Sequence, residues 1–314
     1  MWCFMNKRLY FISGLPRSGS TLLAAILRQN PQFHAGMTSP VGAMVEALLG
    51  SFSVGSEVAP MVSTEQRQRV LRAVFDGIYA DLPLEKEVVF DTNRTWTGCL
   101  STLVALFPDA RVLCCVRNVA WVMDSLERRF RQNAFDHTRL FNTPAERSSV
   151  YTRVETLAQA DRLVGASWCM LKEAMYGDHA ARLLIIEYEH LVQQPAQVMD
   201  LIYHFLNERP FAHDFDDIHY EAPIIDSQLG IAGLHTVRGK VAPQSRRTIL
   251  PPELFEKYSD RSFWRDAPGS AANVIAPASE VTASEAPASE VTASEAPASE
   301  ATASEAGDRS PSET

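Results

Sequence analysis

The chain has 314 residues, enough for one large or two small domains, and a formal net charge of −9. Most of this charge lies in residues 270–314, which carry seven Glu, one Asp and one Arg and leave −2 for residues 1–269. The part of the chain that can fold is therefore not strongly basic, which argues against a nucleic-acid-binding protein. No run of about 18 apolar residues predicts a membrane-spanning helix.

Strands and helices alternate in the predicted fold. Strand-like apolar runs lie at 8–13, 87–91, 110–116 and 182–188. Helix-like periodicity lies around and between them, at 20–29, 40–50, 63–80, 95–106, 119–132, 150–176 and 194–206. Because the strands are apolar on both faces, we expect an α/β fold of the P-loop-like type. This is a three-layer sandwich in which helices flank a central parallel sheet.

Two later regions break the alternation. Residues 133–149 are polar and weakly periodic, and they predict a loop on the substrate side. Beyond residue 207, several prolines divide the chain into short pieces, which predict an irregular C-terminal flap. We therefore expect one folded domain over residues 1–268.

The C-terminal segment, 269–314, is built from a ten-residue repeat. It contains no aromatic residue and has little apolar surface to bury, so we expect it to be disordered. The repeat unit is Ala-Pro-Ala-Ser-Glu-Val-Thr-Ala-Ser-Glu, found at 276–285, at 286–295 and, with one substitution, at 296–305.

The cysteines show no C-x-x-C spacing. Two of them lie in a predicted buried strand, so we interpret all five as reduced thiols in the core of a cytoplasmic protein. The first residues lack the apolar core of a secretory signal, and Met5 is an alternative start to Met1. The cysteines are Cys3, Cys99, Cys114, Cys115 and Cys169.

The segment Gly14-Leu15-Pro16-Arg17-Ser18-Gly19-Ser20-Thr21 predicts an anion-binding loop. It follows a predicted strand and leads into a predicted helix, which is the layout of a phosphate-binding loop. Ser20 stands where nucleoside triphosphatases have lysine, so we expect the loop to hold a phosphate-like group without cleaving a triphosphate. Backbone N–H groups at the helix N-terminus favour an anion, and the Arg17 guanidinium can bind two oxygens at once. Further hydroxyl donors are Ser18, Ser20 and Thr21.

Arg117 and Ser125 form a second predicted anion site. Arg117 follows the end of a predicted buried strand, and Ser125 lies eight positions later in the next helix. Ligands of parallel α/β sheets collect at the carboxyl ends of the strands, where Arg17 and Arg117 are both expected. Two separate anion sites suggest a ligand with phosphates at two places. Pairing of Arg117 with a surface carboxylate is the simpler alternative.

These motifs resemble those of sulfotransferases that use 3′-phosphoadenosine 5′-phosphosulfate (PAPS). Gly14–Thr21 is similar to that family's 5′-phosphosulfate loop, and Val112–Ser125 is similar to its 3′-phosphate motif. Tyr188 stands where the family places a tyrosine against adenosine, and Arg238–Lys240 resembles a basic segment that closes over the nucleotide. The resemblance spans about residues 8–262. It implies that PAPS is bound by Pro16, Arg17, Ser18, Gly19, Ser20, Thr21, Arg117, Ser125, Tyr188, Arg238 and Lys240.

Phe11–Phe33 is most similar to the bacterial and animal peptide-tyrosine branch of the family, which implies that the acceptor is a tyrosine of a peptide. The branch places a catalytic glutamate where this chain has Thr38, and Glu46 is the nearest carboxylate that can replace it. Many members have a lysine where this chain has Thr92, and Arg94 can supply the missing cation.

Sulfuryl transfer is expected to resemble phosphoryl transfer, with in-line attack and negative charge on the leaving phosphate. The residues expected to act in catalysis are Arg17 and Arg94, which would stabilise the leaving group, and Glu46, which is our first candidate for the base. Asp91 and His34 are further candidates for the base. No cluster of residues has the spacing of a metal site, and we expect the reaction to need no metal ion.

Other interpretations stay open. A P-loop kinase would use Asp91 as a magnesium ligand, although Ser20 argues against it, and a non-catalytic nucleotide-binding protein is a third possibility. The acceptor can also be a small hydroxyl compound, and a homodimer is possible. Three basic residues can attract an acidic peptide or form a solvated helix face: Arg128, Arg129 and Arg131. Five histidines show no predicted pairing: His137, His204, His213, His219 and His235.

Overall fold

A six-stranded parallel sheet forms the centre of the molecule in the computed structural model, which describes residues 7–132, 138, 140–228 and 235–276. The strands of the described residues are β1 (Arg8–Gly14), β2 (Phe33–Ala35), β3 (Val88–Thr92), β4 (Val112–Val116), β5 (Leu183–Glu187), β6 (Ile218–Tyr220), β7 (Val237–Gly239) and β8 (Asn273–Ile275). The order in the large sheet is β2-β3-β1-β4-β5-β8, and every pair is parallel. Strands β6 and β7 form a separate antiparallel pair.

Helices cover both faces of this sheet, which confirms the predicted α/β sandwich. Along β1, Leu9 and Phe11 pack into one apolar cluster, whereas Tyr10 and Ile12 pack into the other, because successive side chains of a strand point to opposite faces. The helices of the described residues are α1 (Ser20–Leu27), α2 (Val41–Ser51), α3 (Thr64–Tyr79), α4 (Leu100–Leu106), α5 (Val119–Gln132), α6 (Pro144–Arg147), α7 (Val150–Ala158), α8 (Leu163–Tyr176), α9 (Tyr188–Gln193), α10 (Pro195–Leu206), α11 (Pro223–Gln228) and α12 (Pro252–Ser259).

Two predicted helices differ in the structure. The helix predicted at 150–176 is two helices, α7 and α8, because Gln159 and Arg162 between them have extended backbone. Gly165 then lets α8 approach the backbone of Ala158 and Gln159 more closely than an added Cβ atom would allow. The helix predicted at 95–106 begins only at Leu100, because the preceding residues form a 3₁₀ turn, Arg94–Trp96, that the Asn93 side chain caps.

Other local predictions have mixed outcomes. Ser63 and Gln66 form a capping box at the start of α3. The region 133–149, predicted as a loop, contains the short helix α6, and residues 133–137 and 139 lie outside the described residues. None of the helices in the described part of the chain combines the length and the apolar composition that a membrane-spanning helix needs.

The sheet continues beyond residue 268, where the sequence pattern predicts the end of the domain. Strand β8 pairs with β5 at the edge of the sheet. The segment before it is fixed to the buried carboxylate of Glu187, which accepts hydrogen bonds from Trp264 Nε1 and from the guanidinium of Arg265. The predicted disorder of the repeat concerns mainly residues outside those described, and it stays a prediction.

The cysteines are only partly core residues. Cys114 and Cys115 are buried in β4, as predicted, and burial raises the pKa of the Cys115 thiol to about 12. Cys99 is half-buried and Cys169 is exposed, so the prediction of core thiols is wrong for Cys169. Cys3 lies outside the described residues.

Substitution of Gly14 tests the close approach of β1 to β4. A Cβ atom at Gly14 would lie 2.0 Å from the carbonyl oxygen of Cys115, and the backbone there has φ +116°. We expect Gly14→Ala to lower the free energy of unfolding by about 2–4 kcal/mol, from backbone strain and overpacking. Chemical denaturation measures this change.

The matched control is Gly77→Ala in α3, where an added Cβ atom meets nothing within 4 Å. It should stabilise the protein by about 0.5–1 kcal/mol, because alanine is the better helix former. Equal stability of the Gly14 variant and the wild type would show that the loop is not packed as described.

Candidate active site

A cleft of about 1120 Å³ opens at the carboxyl ends of the central strands. Such clefts are the usual ligand sites of parallel α/β sheets. The structure brings most of the predicted site residues into it: Pro16, Arg17, Gly19, Ser20, Thr21, Arg94, Arg117, Ser125, Tyr188, Arg238 and Lys240.

The loop between β1 and α1 is folded tightly against β4. Its backbone N–H at Leu15 donates to the carbonyl oxygen of Cys115, and the Ser18 hydroxyl lies within hydrogen-bond distance of the carbonyl oxygens of Leu15 and Cys115. Ser18 is buried and does not line the cleft, so it can contribute to a ligand only through its backbone N–H. Arg17 has φ +58°, a left-handed conformation that is rare for a side-chain-bearing residue and is typical of strained functional loops.

The two predicted anion sites meet in this cleft. Arg17 Nε donates to Ser125 Oγ at 3.2 Å, although the two residues lie 108 positions apart. Arg117 lies 4.2 Å from the centre of the Tyr188 ring, and its Nε donates to Glu189 Oε1 at 2.9 Å. Arg117 therefore pairs with a carboxylate, as the simpler alternative predicts. It also lines the cleft, as the anion-site prediction requires.

Tyr188 also packs against the first loop. A Cβ atom at Gly19, where φ is +98°, would lie 2.7 Å from Tyr188 Cδ2. The absence of a side chain at Gly19 therefore lets the tyrosine ring lie directly on the start of α1. A flat aromatic surface beside an anion-binding loop suits a nucleotide base.

Four arginines crowd the cleft and raise its positive potential. Burial and the charges of Arg129, Arg246 and Arg117 lower the pKa of Arg17 to about 10. Like charges in partly buried positions destabilise each other, so a bound anion would relieve their repulsion. The potential favours a ligand with more than one negative charge.

Arg246 lines the cleft, although no sequence pattern indicates it. Its Nη2 lies 3.1 Å from Asp124 Oδ2, and its guanidinium lies 5.2 Å from the Trp121 ring centre. Asp124 is buried next to Ser125 in α5 and holds the chain segment that carries Arg246. It accepts hydrogen bonds from Thr248 Oγ1 at 3.0 Å and from the backbone N–H of Ile249 at 2.7 Å.

The carboxylate of Asp124 is held in its charged form. Burial raises the pKa of Asp124, but the hydrogen bonds from Arg128 and Ile249 and the charge of Arg246 outweigh it, so the pKa is lowered overall. No spacing rule connects Asp124 with residues more than a hundred positions later, so only the fold reveals this contact.

Arg238 and Lys240, the two basic residues of the segment that resembles the family's nucleotide-covering segment, lie at the rim of the cleft. Arg238 and Lys240 are exposed and form ion pairs with Glu221 and Asp216. Exposed ion pairs contribute little to stability, so these two cations can exchange their partners for a ligand at small cost.

The wall next to β3 contains an available cation. Arg94 is exposed to the cleft, and among the described residues its guanidinium has no hydrogen-bond or ion-pair partner. Desolvation of the Arg94 guanidinium in the cleft wall lowers its pKa. Thr38, Thr92 and Asn93 line the same wall, so both positions where the sequence departs from the family pattern, Thr38 and Thr92, face the cleft.

The structure does not bring the predicted bases into the cleft. Glu46 is exposed on α2 and does not line the cleft, because its side of the helix faces solvent. His34 lies in β2 with its ring 5.8 Å from the Tyr79 ring. Asp91 is buried and does not line the cleft either, so the structure brings none of these three candidates to it.

Asp91 has a structural network instead. Its carboxylate accepts hydrogen bonds from Ser39 Oγ, Tyr79 Oη and Trp96 Nε1. Burial raises its pKa, and the three hydrogen bonds act in the opposite direction. A carboxylate with these three partners is unsuited to the magnesium-binding role that the kinase alternative requires. Among the described residues, no group of three or more His, Cys, Asp or Glu could hold a metal ion.

His235 and Asp226 form a pair that the sequence spacing did not predict. His235 lines the cleft, and its Nδ1 lies 2.6 Å from Oδ1 of the buried Asp226. The backbone N–H of His235 donates to the other carboxylate oxygen at 3.1 Å. With Nδ1–H donating to the carboxylate, Nε2 is the unprotonated nitrogen and can accept a proton.

The surroundings of His235 disfavour its protonated form by lowering the pKa of the imidazole. Burial lowers its pKa, Asp226 acts in the opposite direction, and the charges of Arg17 and Arg94 lower the pKa further. The imidazole therefore lies within electrostatic reach of both predicted catalytic arginines. A neutral histidine beside two cations is suited to act as a base.

A second arm of the cleft is apolar. Phe130 packs edge-on against Phe141, with ring centres 5.7 Å apart. Of the three basic residues that can attract an acidic peptide or form a solvated helix face, two are paired with carboxylates: Arg128 with Asp124 and Arg131 with Glu127. The apolar residues of this arm are Leu126, Phe130, Leu140, Phe141, Leu157 and Leu163.

Comparison with known proteins gives one extended match. The profile of the Sulfotransferase family matches residues 10–212, more than half of the chain. It includes the first loop, Arg117, Ser125 and Tyr188, and it ends before His235 and Arg246. No curated protein matches the chain.

Several solved structures are similar. A sulfotransferase from Alicyclobacillus acidocaldarius is 17% identical and has a TM-score of 0.45, over 71% of this chain and 90% of that chain. The sulfotransferase domain from the curacin biosynthetic pathway is 20% identical, with a TM-score of 0.42, over 66% of this chain and 75% of that chain. The sulfotransferase domain from the Synechococcus PCC 7002 olefin synthase is 18% identical, with a TM-score of 0.40, over 67% and 78%.

The crowded arginines predict that anions stabilise the protein. Inorganic sulfate or phosphate should raise Tm above that in chloride at equal ionic strength, because a bound anion stabilises the folded state by mass action. We expect Arg17→Ala to remove most of this rise, measured by differential scanning calorimetry.

The control is Arg69→Ala, which removes one exposed charge on α3 far from the cleft lining. It should keep the full anion-dependent rise. An unchanged rise in the Arg17 variant would show that the anion binds elsewhere.

Proposed function

Because the chain belongs to the sulfotransferase family, we propose that it transfers a sulfuryl group from PAPS to an acceptor hydroxyl. The observation that carries the proposal is the hydrogen bond between Arg17 and Ser125, which joins two separate anion sites in one cleft. A donor with a phosphosulfate at one end and a phosphate at the other matches this arrangement.

The residues present fit such a donor. The loop around Arg17, together with Arg94, is suited to the 5′-phosphosulfate, since N–H groups at a helix N-terminus and guanidinium groups favour anions. Arg117, Ser125 and Arg246 would hold the 3′-phosphate. The Tyr188 ring would lie against the adenine, with Arg238 and Lys240 at the rim.

His235 would act as the general base. When bound, the donor supplies an activated sulfuryl group on a phosphate leaving group. His235 Nε2 accepts the proton of the acceptor hydroxyl while the new oxygen–sulfur bond forms. As the bond between sulfur and the bridging phosphate oxygen breaks, its electron pair stays on the leaving phosphate, whose charge Arg17 and Arg94 stabilise. Asp226 holds the imidazole in the required tautomer.

For the acceptor we propose a phenolic hydroxyl, with a peptide tyrosine as first candidate and a small hydroxyl compound as second. The apolar arm of the cleft supports an aromatic or aliphatic acceptor body. The paired state of Arg128 and Arg131 gives no support to recognition of an acidic peptide. The resemblance to the tyrosine branch is the remaining argument for a peptide.

Nucleotide binding tests the donor. Adenosine 3′,5′-bisphosphate should raise Tm more than adenosine 5′-monophosphate, because only the bisphosphate occupies both anion sites. Incubation with PAPS and a panel of peptide and small phenols should add the mass of one sulfate to an acceptor. Stabilisation by ATP with magnesium but not by the bisphosphate would contradict the proposal, and binding without transfer to any acceptor would favour a non-catalytic protein.

The pH dependence tests the base. Only the unprotonated imidazole can accept a proton, and the pKa of His235 is lowered from its ordinary value, so kcat/KM should fall with decreasing pH, and this acid limb should lie at a lower pH than that of an ordinary histidine. We expect His235→Gln to lower kcat by about 10²–10⁴-fold and to abolish this acid limb. His219→Gln, an exposed histidine on β6, is the matched control and should keep wild-type kinetics. An acid limb that persists in the His235 variant would assign it to another group.

A further inference from the structure

The side chain of Thr92 is a buried polar group without a partner. Its residue is only 6% exposed, and among the described residues its Oγ1 has no hydrogen-bond partner. Most buried polar groups in native proteins are paired, so each exception calls for an explanation. Because Thr92 lines the cleft, a bound ligand is the natural partner.

The backbone fixes Thr92 at the carboxyl end of β3, in the wall of the cleft. It is the last residue of β3, where it pairs with Ile12 of β1, two positions before Gly14 and the anion-binding loop. Its carbonyl oxygen accepts the backbone N–H of Ser39 at 3.2 Å. These contacts place Thr92 between the anion-binding loop and the wall that carries Thr38.

The neighbouring polar groups do not satisfy the Thr92 hydroxyl. Asn93 Oδ1 accepts hydrogen bonds from the backbone N–H and the hydroxyl of Thr95. The hydroxyl of Ser39 donates to Asp91 at 2.7 Å. The surrounding polar side chains therefore serve the fold, whereas the Thr92 hydroxyl is left for the cleft.

We propose that Thr92 is a catalytic residue whose hydroxyl donates a hydrogen bond to an oxygen of the sulfuryl group as it is transferred. This inference rests on the proposed sulfuryl transfer. Negative charge on the transferred group and the leaving oxygen must be stabilised during the reaction, and a donor with no competing partner needs no reorganisation to do so. No bond is made or broken at Thr92, and its proton stays on its own oxygen.

The hydroxyl complements the two arginines. Arg17 and Arg94 supply charge, which acts over several ångströms on any nearby anion. A hydroxyl acts only at hydrogen-bond distance and only in one direction, so Thr92 adds positional selectivity. It would distinguish a sulfuryl group at the correct depth from an anion that merely enters the cleft.

Three variants test the proposal. Thr92→Val keeps the shape and removes the hydroxyl, Thr92→Ser keeps the hydroxyl, and Thr156→Val removes the hydroxyl of an equally buried threonine that does not line the cleft. We expect Thr92→Val to lower kcat about 10²-fold, with little change in the KM for the donor or the KM for the acceptor. Thr92→Ser should recover most of the rate, and Thr156→Val should keep wild-type kcat.

A second readout does not depend on turnover. Inorganic sulfate added with adenosine 3′,5′-bisphosphate imitates the two parts of the donor, and the pair should raise Tm of the wild type above the bisphosphate alone. We expect Thr92→Val to retain the response to the bisphosphate and to lose the added response to sulfate. Its Tm without ligand should equal or exceed that of the wild type, because an unpaired buried hydroxyl is removed.

The outcomes separate the two proposals. If the wild type shows no response to the bisphosphate, the sulfotransferase proposal fails. If the wild type responds and Thr92→Val keeps both its kcat and its response to sulfate, the proposal for Thr92 is wrong. A rise in the KM for the acceptor with no change in kcat would also overturn the proposal for Thr92, because it would assign the hydroxyl to acceptor binding.

Discussion

The contact between Gly14 and the carbonyl oxygen of Cys115 is the constraint on which the site depends. Strand β1 can turn away from the sheet at this point only because residue 14 has no side chain. The same carbonyl oxygen then accepts the backbone N–H of Leu15 and lies in hydrogen-bond reach of the Ser18 hydroxyl. One oxygen of β4 thus organises the loop that carries Arg17, and it fixes that arginine next to the helix that follows β4.

The site combines fixed and exchangeable cations. Arg17 is held by Ser125, and Arg117 is held between Tyr188 and Glu189, so both guanidinium groups are positioned before a ligand arrives. Positioned charges need no reorganisation during the reaction, which is the main source of electrostatic catalysis. The ion pairs of the rim residues Arg238 and Lys240 are exposed, and they are weak enough to open.

The sequence predicted the parts of the site that depend on local patterns. The loop around Arg17 and the strand that ends before Arg117 follow from apolar runs, glycines and helix starts, because each lies within a few residues of its signal. His235, Asp226 and Arg246 could not be found in this way. Their partners lie nine residues or more than a hundred residues away in the chain, and no periodicity links them. The short strands β2, β6, β7 and β8 were missed because three residues carry too little pattern. The exposed position of Glu46 could not be predicted either, because helix periodicity alone does not say which side of α2 faces solvent.

Asp124 and Ser125 are consecutive residues of α5 with different tasks. Ser125 faces Arg17 in the cleft, whereas Asp124 holds residues 246–249 against the same helix. Under the proposed function, a nucleotide held by Arg246 would rest on a segment that is itself attached to α5 through Asp124. Opening of that attachment would then contribute to the rate of product release, a step separate from the chemical one.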